Sequence, residues 1–280
     1  MKHLTNDILK CRNNLDELNF EKNNTYPFIP CDSEELFNKN LERENRNYSL
    51  LYYLKNPIKY SLNNEGFRTP DDFNSEDEGN VYLGCSHTFG IGHHLENTWS
   101  YKLNQQIGGK FWNLSVGGTG VATHFRLLFG YYKELKIKNI FHYAPKYPRY
   151  EFIINKTPRN FIISNYNKNW LNQFGDLMET CLLTDEQCEY NWITYTSAIR
   201  GIASEIGCNY YLIDRSDKWD GRNDKSLLAR DIIHHTTLLQ HMVFKDFLKM
   251  YNPKMLDNIE NDLSVFDIEK FFSSDKKTLL

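Results

Sequence analysis

Three side chains of this sequence could together activate a nucleophile: Ser86, Asp231 and His234. A serine hydroxyl becomes a good nucleophile when an imidazole takes its proton and a carboxylate holds that imidazole in the right tautomer. Asp231 and His234 stand in the run DIIH, where their spacing lets both side chains face one side of a turn. The same run is also typical of an ordinary helix start with Asp231 as its N-cap.

Ser86 lies in the segment VYLGCSHTFGIG, residues 81–92. Apolar, β-favouring residues lead into Gly84, and a Gly-Ile-Gly loop closes the segment. A buried strand that runs into a glycine turn presents a side chain at the carboxyl edge of a parallel α/β sheet. The segment therefore predicts Ser86 as the nucleophile, with the neighbouring thiol of Cys85 as the alternative.

Stabilising the negative charge of a tetrahedral intermediate requires backbone N–H groups aimed at the oxyanion. The turn after residue 84 offers the N–H of Ser86. A second glycine-rich turn, VGGTG at residues 116–120, offers Gly118, whose lack of a side chain lets the backbone approach a substrate closely. Both turns follow predicted strands, so we expect them at the same sheet edge.

Strands and helices alternate around these motifs. The pattern predicts strands at 80–84, 110–116, 138–144 and 208–214, and helices at 97–107, 122–135, 191–207 and 235–251. This alternation is typical of a parallel sheet covered by helices on both faces. Residues 1–77 are predicted to be an N-terminal extension with a helix over 33–54, residues 145–190 a lid or specificity insertion within the domain at 78–251, and residues 252–280 a tail.

Composition narrows the class of protein. The chain has 280 residues, 40% of them hydrophobic, and a net charge of −3, which gives no electrostatic footprint for nucleic acid. No apolar run reaches the ~18 residues of a membrane span, and the start of the chain lacks the pattern of a secretory signal. We therefore expect a cytoplasmic protein with reduced cysteines, no metal and no cofactor. The six cysteines form no C-x-x-C pair.

In combination, these motifs resemble the SGNH (GDSL-like) hydrolase superfamily over about residues 78–250. GCSHTFG resembles the family's nucleophile block, NLSVGGTG its second block with Gly118, and DIIH its final Asp-x-x-His block, all in the family's order. The resemblance implies a flavodoxin-like three-layer α/β/α sandwich and a serine esterase acting on acyl esters, with acetyl groups of a carbohydrate as the favoured class. It assigns Ser86 as nucleophile, His234 as general base and Asp231 as its orienting acid.

Two departures from the family pattern affect these expectations. Cys85 stands where the family usually has Asp, at a position that shapes the turn. The third block usually supplies an Asn as an oxyanion donor, whereas this chain reads FHYAPKYPRYEF, and losing one such donor costs about 10² to 10³ in kcat. Neighbouring polar groups are predicted substrate contacts, and all of them except His87 are also candidates for a substitute donor: His87, His142, Tyr143, Lys146, Tyr147 and Arg149.

Two other hypotheses stay open on the sequence alone. His87, His93 and His94 cluster near the nucleophile, but their spacing matches no recognised set of metal ligands. The missing third-block Asn favours a catalytically weak or inactive carbohydrate-binding or structural module of the same fold, whereas the Ser86, Asp231 and His234 set favours catalysis. The acyl group, the alcohol and the oligomeric state are left open.

Overall fold

The structure is a computed structural model that describes residues 5–12, 20–43, 48–74, 76–145, 149–162, 184–215, 228–234 and 236–260. Its strands are β1 (Thr25–Tyr26), β2 (Tyr60–Ser61), β3 (Glu78–Gly84), β4 (Lys110–Asn113), β5 (Lys136–Pro145), β6 (Arg149–Ile154), β7 (Thr157–Ile162) and β8 (Asn209–Arg215). Its helices are α1 (Asn6–Lys10), α2 (Glu34–Arg43), α3 (Tyr48–Lys55), α4 (Ser86–Phe89), α5 (Trp99–Ile107), α6 (Val121–Tyr131), α7 (Asp185–Ile206), α8 (Thr237–Tyr251) and α9 (Pro253–Glu260).

The central sheet has four parallel strands in the order β4-β3-β5-β8. Counted along the chain, this is strand order 2-1-3-4, the flavodoxin-like doubly wound arrangement, in which ligands bind where the strand order reverses. The reversal lies at β3 and β5, and β3 is the strand that runs into Ser86. The predicted α/β class with a central parallel sheet is confirmed.

Helices cover both faces of this sheet. On one face, Val81 and Leu83 of β3 pack with Leu127 of α6 and Ile199 of α7. On the other face the alternate strand residues pack with α5 and α8, and Tyr82 shares a buried cluster there with Trp99, Phe244 and Phe247. Strand residues alternate between two faces, and both sets are apolar here, so the sheet is buried on both sides as the continuous apolar runs predict.

A third buried cluster joins the N-terminal segment to α4 and to the loop that follows it. Tyr53, Ile58 and Tyr60 of that segment are buried with Phe89 and Ile91, which lie just after Ser86. The rings of Tyr60 and Phe89 stack with centroids 6.1 Å apart. Part of the segment before the α/β core therefore packs directly against the loop that carries the predicted nucleophile.

Several predicted boundaries differ from the structure. Within the helix predicted over 33–54 the structure describes two helical stretches, α2 and α3, and residues 44–47 between them lie outside the described residues. Within the predicted excursion at 145–190, residues 149–162 form an antiparallel hairpin and α7 already begins at Asp185. The closing helix begins at Thr237 with Thr236 as its N-cap, so DIIH is a turn and not a helix start. Of the tail, α9 is described and residues 261–280 are not.

The longest helix within the described ranges is α7, with 22 residues. Among the helices that the structure describes, none combines the length and the apolar character needed to cross a bilayer.

Candidate functional site

Ser86 is the first residue of α4, at the carboxyl end of the central strand β3. The helix is a short turn that ends at Gly90, which has a φ of +81° and whose N–H donates to the Ser86 carbonyl. As first helical residue, Ser86 has no carbonyl one turn earlier to receive its own N–H. The side chain is 6% exposed. This placement is the strand-to-turn presentation that the sequence predicts.

Asp231 and His234 form a closed hydrogen-bonded turn. Asp231 Oδ1 accepts from the backbone N–H groups of Ile233 and His234, at 3.1 and 3.2 Å, and Oδ2 bonds His234 Nδ1. Between them, Ile232 has a φ of +63°, a left-handed conformation that costs a β-branched residue about 1–3 kcal/mol and persists where surrounding contacts enforce it. The turn thus places the proton on Nδ1 and leaves Nε2 as the acceptor.

The imidazole of His234 lies beside the helix that Ser86 begins. The rings of His87 and His234 are 5.2 Å apart between centroids, and His87 is the next residue after Ser86. Among the described contacts no hydrogen bond joins Ser86 Oγ to His234 Nε2. In ligand-free enzymes this bond is often long and tightens only when substrate binds.

The second glycine turn lies against the same residue. A Cβ placed on Gly117 would be 3.9 Å from Ser86 Cβ, and Gly118 has a φ of +73°. Val116 N–H donates to the Gly84 carbonyl at 3.3 Å, which ties this turn to the end of β3. Within the described turns and loops, neither the Ser86 nor the Gly118 N–H donates to a backbone carbonyl.

The loop after α4 carries the Asp231 turn. The Gly92 carbonyl accepts from the Arg230 N–H at 2.9 Å. Tyr60 Oη accepts from the Gly92 N–H at 2.9 Å and donates to Asp32. Asp32 in turn receives Arg230 Nε and Nη2 at 3.0 and 2.7 Å, and both side chains are 1% exposed. This ring of contacts, which we call the Asp32–Arg230 lock, joins the loop after α4, the Asp231 turn and the N-terminal segment.

Gly92→Ala tests how closely the backbone at Gly92 approaches Arg230 and Asp231. Gly92 has a φ of +75°, and an added Cβ would lie 2.9 Å from Arg230 N and 3.2 Å from Asp231 Oδ1. The matched control is Gly207→Ala, where φ is +72° in the left-handed helical region and nothing lies within 4 Å. We expect about 1–2 kcal/mol of lost stability for Gly207→Ala from backbone strain, and about 1–3 kcal/mol more for Gly92→Ala from overlap. Equal losses in urea unfolding would contradict the contact.

The predicted substrate residues fall into different environments. His87 is 5% exposed and lies beside His234, whereas His142 and Tyr143 are fully buried in β5. Both of these residues therefore lie in the core of the ligand-free protein. Arg149 is half-buried and its Nη1 donates to the Thr119 carbonyl at 3.1 Å, beside the second glycine turn. Lys146 and Tyr147 lie outside the described residues.

Burial changes the protonation of the histidines near the sheet. Desolvation lowers the pKa of His142 to about 3. It also lowers the pKa of His124 well below the usual value, and the positive charge of Arg149 acts in the same direction. Both imidazoles are therefore neutral at physiological pH. In the part of the chain that the structure describes, no three His, Cys, Asp or Glu side chains group to hold a metal ion.

A groove of about 230 Å³ opens between the first turn of α6, β6 and α7. It begins next to the second glycine turn, because Val121 and Arg149 both line it. The rest of its wall consists of Ala122, the carboxylate of Glu151, and aromatic and amide side chains: Tyr150, Phe152, Gln187, Asn191 and Tyr195. This mixture of stacking faces and hydrogen-bonding groups suits a polar ligand with flat apolar faces.

Several residues around the site stand in no sequence motif. Asp32 and Arg230 are 198 positions apart, and no local pattern links them. His124 is buried in α6, a helix whose apolar spacing predicts a face in the core. Its place on that face is the one feature of the sequence that could have indicated a buried histidine here. Together the residues define a doubly wound α/β protein with an oriented Asp–His pair beside a serine-bearing strand end.

Comparisons with known proteins give no family. No protein-family model matches the sequence, and no curated protein matches it. Among solved structures, a family two carbohydrate esterase from Cellvibrio japonicus is similar at 11% identity over 71% of this chain and 71% of that chain, with a TM-score of 0.32. A likeness at this level carries no argument, and the description of the fold rests on the chain's own geometry.

Proposed function

We propose that the protein is a serine esterase that uses Ser86, His234 and Asp231. The observation that carries this proposal is the turn in which the Asp231 carboxylate binds His234 Nδ1 while the imidazole lies beside the helix that starts at Ser86. A carboxylate that fixes Nδ1–H leaves Nε2 basic, which is the arrangement a general base needs. The motifs that resemble the SGNH hydrolases contain these same three residues.

In the proposed reaction, Ser86 Oγ attacks the ester carbonyl carbon while His234 Nε2 takes the hydroxyl proton. The N–H groups of Ser86 and Gly118 bind the resulting oxyanion. His234 then gives its proton to the leaving alcohol as the bond between carbon and alkoxy oxygen breaks, which leaves an acyl group on Ser86. Water, deprotonated by the same imidazole, releases the carboxylic acid and restores the serine.

The proposed substrates are small acyl esters, with an acetylated carbohydrate as the favoured class. The groove beside Arg149 supports this class, because Tyr150 and Tyr195 offer ring faces and Asn191 offers an amide. Aromatic faces with nearby amides suit the apolar and hydroxyl surfaces of a sugar ring. The three proposed catalytic groups require no metal or cofactor for ester hydrolysis.

The test is hydrolysis of p-nitrophenyl acetate by the wild type and by Ser86→Ala. We expect turnover in the wild type and a fall of about 10⁴ or more in kcat for Ser86→Ala, because the nucleophile is removed. Cys85→Ala is the matched control, since Cys85 is the adjacent buried residue and the thiol alternative. Turnover that survives Ser86→Ala and disappears in Cys85→Ala would overturn the assignment in favour of the thiol.

A binding module of the same fold is the second candidate, favoured by the absence of a third-block Asn. The positions where that Asn would follow β5 begin at Lys146, outside the described residues. A wild type without turnover on p-nitrophenyl acetate or acetylated sugars, but with measurable binding of the deacetylated sugars, would support this candidate.

A further inference from the structure

Behind the second glycine turn, three buried side chains and the half-buried Tyr210 join end to end through the sheet. Tyr210 Oη lies 2.9 Å from His142 Nδ1, and His142 Nε2 lies 2.9 Å from His124 Nδ1. His124 Nε2 lies 3.2 Å from Thr119 Oγ1, which donates to the Val116 carbonyl at 2.7 Å. This chain of hydrogen bonds thus runs from β8 through β5 and α6 to the turn beside Ser86.

The positions of the hydrogens follow from its last bond. Thr119 has one hydroxyl proton and gives it to the carbonyl, so its oxygen must accept from His124 Nε2–H. A neutral His124 then has an unprotonated Nδ1, which accepts from His142 Nε2–H. His142 Nδ1 in turn accepts the Tyr210 hydroxyl proton. Every bond points the same way, and bonds aligned in this manner strengthen one another.

Protonation of His124 would break this order, because its Nδ1–H would then face the Nε2–H of His142. Protonation of His142 would reverse the bond to Tyr210, whose hydroxyl would have to accept and turn its proton away. His124 and His142 are fully buried, and the Arg149 charge also disfavours a cationic His124, whereas the Gly84 carbonyl favours it. Burial outweighs that carbonyl, because the net effect is a pKa well below the usual value. The chain therefore keeps one arrangement across the physiological pH range.

We propose that this one-way chain, from Tyr210 through His142 and His124, fixes the Thr119 side chain and with it the second glycine turn. Thr119 follows Gly118 directly, and its hydroxyl closes the turn on the Val116 carbonyl. Thr119 and the two histidines are then positioning residues for the Gly118 N–H, not groups that touch substrate. This inference rests on the proposed esterase, since the amide matters only when an oxyanion forms.

Kinetics test the positioning role with isosteric variants. Thr119→Val removes the hydroxyl, and Tyr210→Phe removes the far end of the chain. We expect both to lower kcat on p-nitrophenyl acetate with KM little changed, by about 10- to 100-fold for Thr119→Val, because a small displacement of an oxyanion donor acts on the transition state. Thr119→Ser keeps the hydroxyl and should therefore retain most of the wild-type kcat. Folded Thr119→Val and Tyr210→Phe proteins with wild-type kcat would overturn the role.

Nitrogen NMR of histidine-labelled protein tests the hydrogen arrangement without any turnover. We expect two imidazoles, assigned through His124→Gln and His142→Gln, that remain neutral Nε2–H tautomers from pH 5 to 8. An Nδ1–H tautomer, or titration of either ring near pH 6.5, would overturn the one-way chain. If the wild type shows no turnover while the NMR result holds, the esterase assignment fails and, with it, the oxyanion role, whereas the chain itself stands.

Discussion

Asp231→Asn is expected to lower kcat by about 10⁴ without unfolding the protein. The amide matches the carboxylate in shape, and its oxygen can still accept the backbone N–H groups of Ile233 and His234. Its NH₂ group takes the place of the oxygen that binds His234 Nδ1, so the imidazole must accept there and carry its proton on Nε2. That tautomer cannot take the proton of Ser86.

The measurement is kcat on p-nitrophenyl acetate with circular dichroism as the check on folding. The matched control is Ile233→Ala in the same turn, whose side chain is 75% exposed and whose backbone N–H is retained. We expect this control to stay within a few-fold of the wild type. An Asp231→Asn protein with wild-type kcat would show that the Asp231 turn has only a structural role.

Asp32→Ala is expected to cost about 3–5 kcal/mol of unfolding free energy, because it leaves the buried guanidinium of Arg230 without its carboxylate. Tyr60 also loses the acceptor of its hydroxyl proton. Since Arg230 precedes Asp231 directly, a folded Asp32→Ala protein should lose turnover as well. The Asp32–Arg230 lock thus links the stability of the N-terminal segment to the geometry of the site.

Urea unfolding measures this effect, and Glu78→Ala is its control. Glu78 pairs with Lys138 at 3.4 Å on the surface, where both side chains are about half exposed, so we expect a loss below about 1 kcal/mol. Should Asp32→Ala fail to fold, Asp32→Asn retains an acceptor for Arg230 and should fold with a smaller loss. An Asp32→Ala protein no less stable than Glu78→Ala would contradict the lock.

The parallel core could be predicted because its signals are local. Apolar runs such as the one at β3 end in glycine turns, and strands of this kind alternate with helices of ordinary length. The α6 boundaries shifted by a few residues, since helix ends depend on capping contacts that periodicity does not contain. The class of fold needs no knowledge of distant contacts, so the sequence was sufficient for it.

The hairpin of β6 and β7 shows where local signals fail. Its turn residues, Asn155 and Lys156, both have positive φ, which tight hairpins usually obtain from Asn-Gly or Asp-Gly. Because Lys and not Gly stands at the second turn position, the sequence does not indicate a hairpin turn there. Three apolar side chains before it are also about 40% exposed, so the strand lacks the usual alternation of buried and exposed residues: Phe152, Ile153 and Ile154.

For the candidate site, the sequence predicts which residue types could react, but not the contacts that hold them in place. Ser86, Asp231 and His234 stand in short motifs whose spacing indicates their chemistry. The Asp32–Arg230 lock and the bonds of His124 to His142 and Thr119 join positions that are distant in sequence or buried on different elements. Contacts of this kind form only when the chain is folded, so no spacing rule could reveal them.

The most direct test of the central claim is to label the wild type with a fluorophosphonate and map the adduct by peptide mass spectrometry. A serine activated by a neutral imidazole attacks phosphorus and keeps the label, whereas an ordinary serine does not react. We predict a single adduct on Ser86 that is strongly reduced in Asp231→Asn. An adduct on another residue, or none on Ser86, would contradict the assignment of Ser86 as an activated nucleophile.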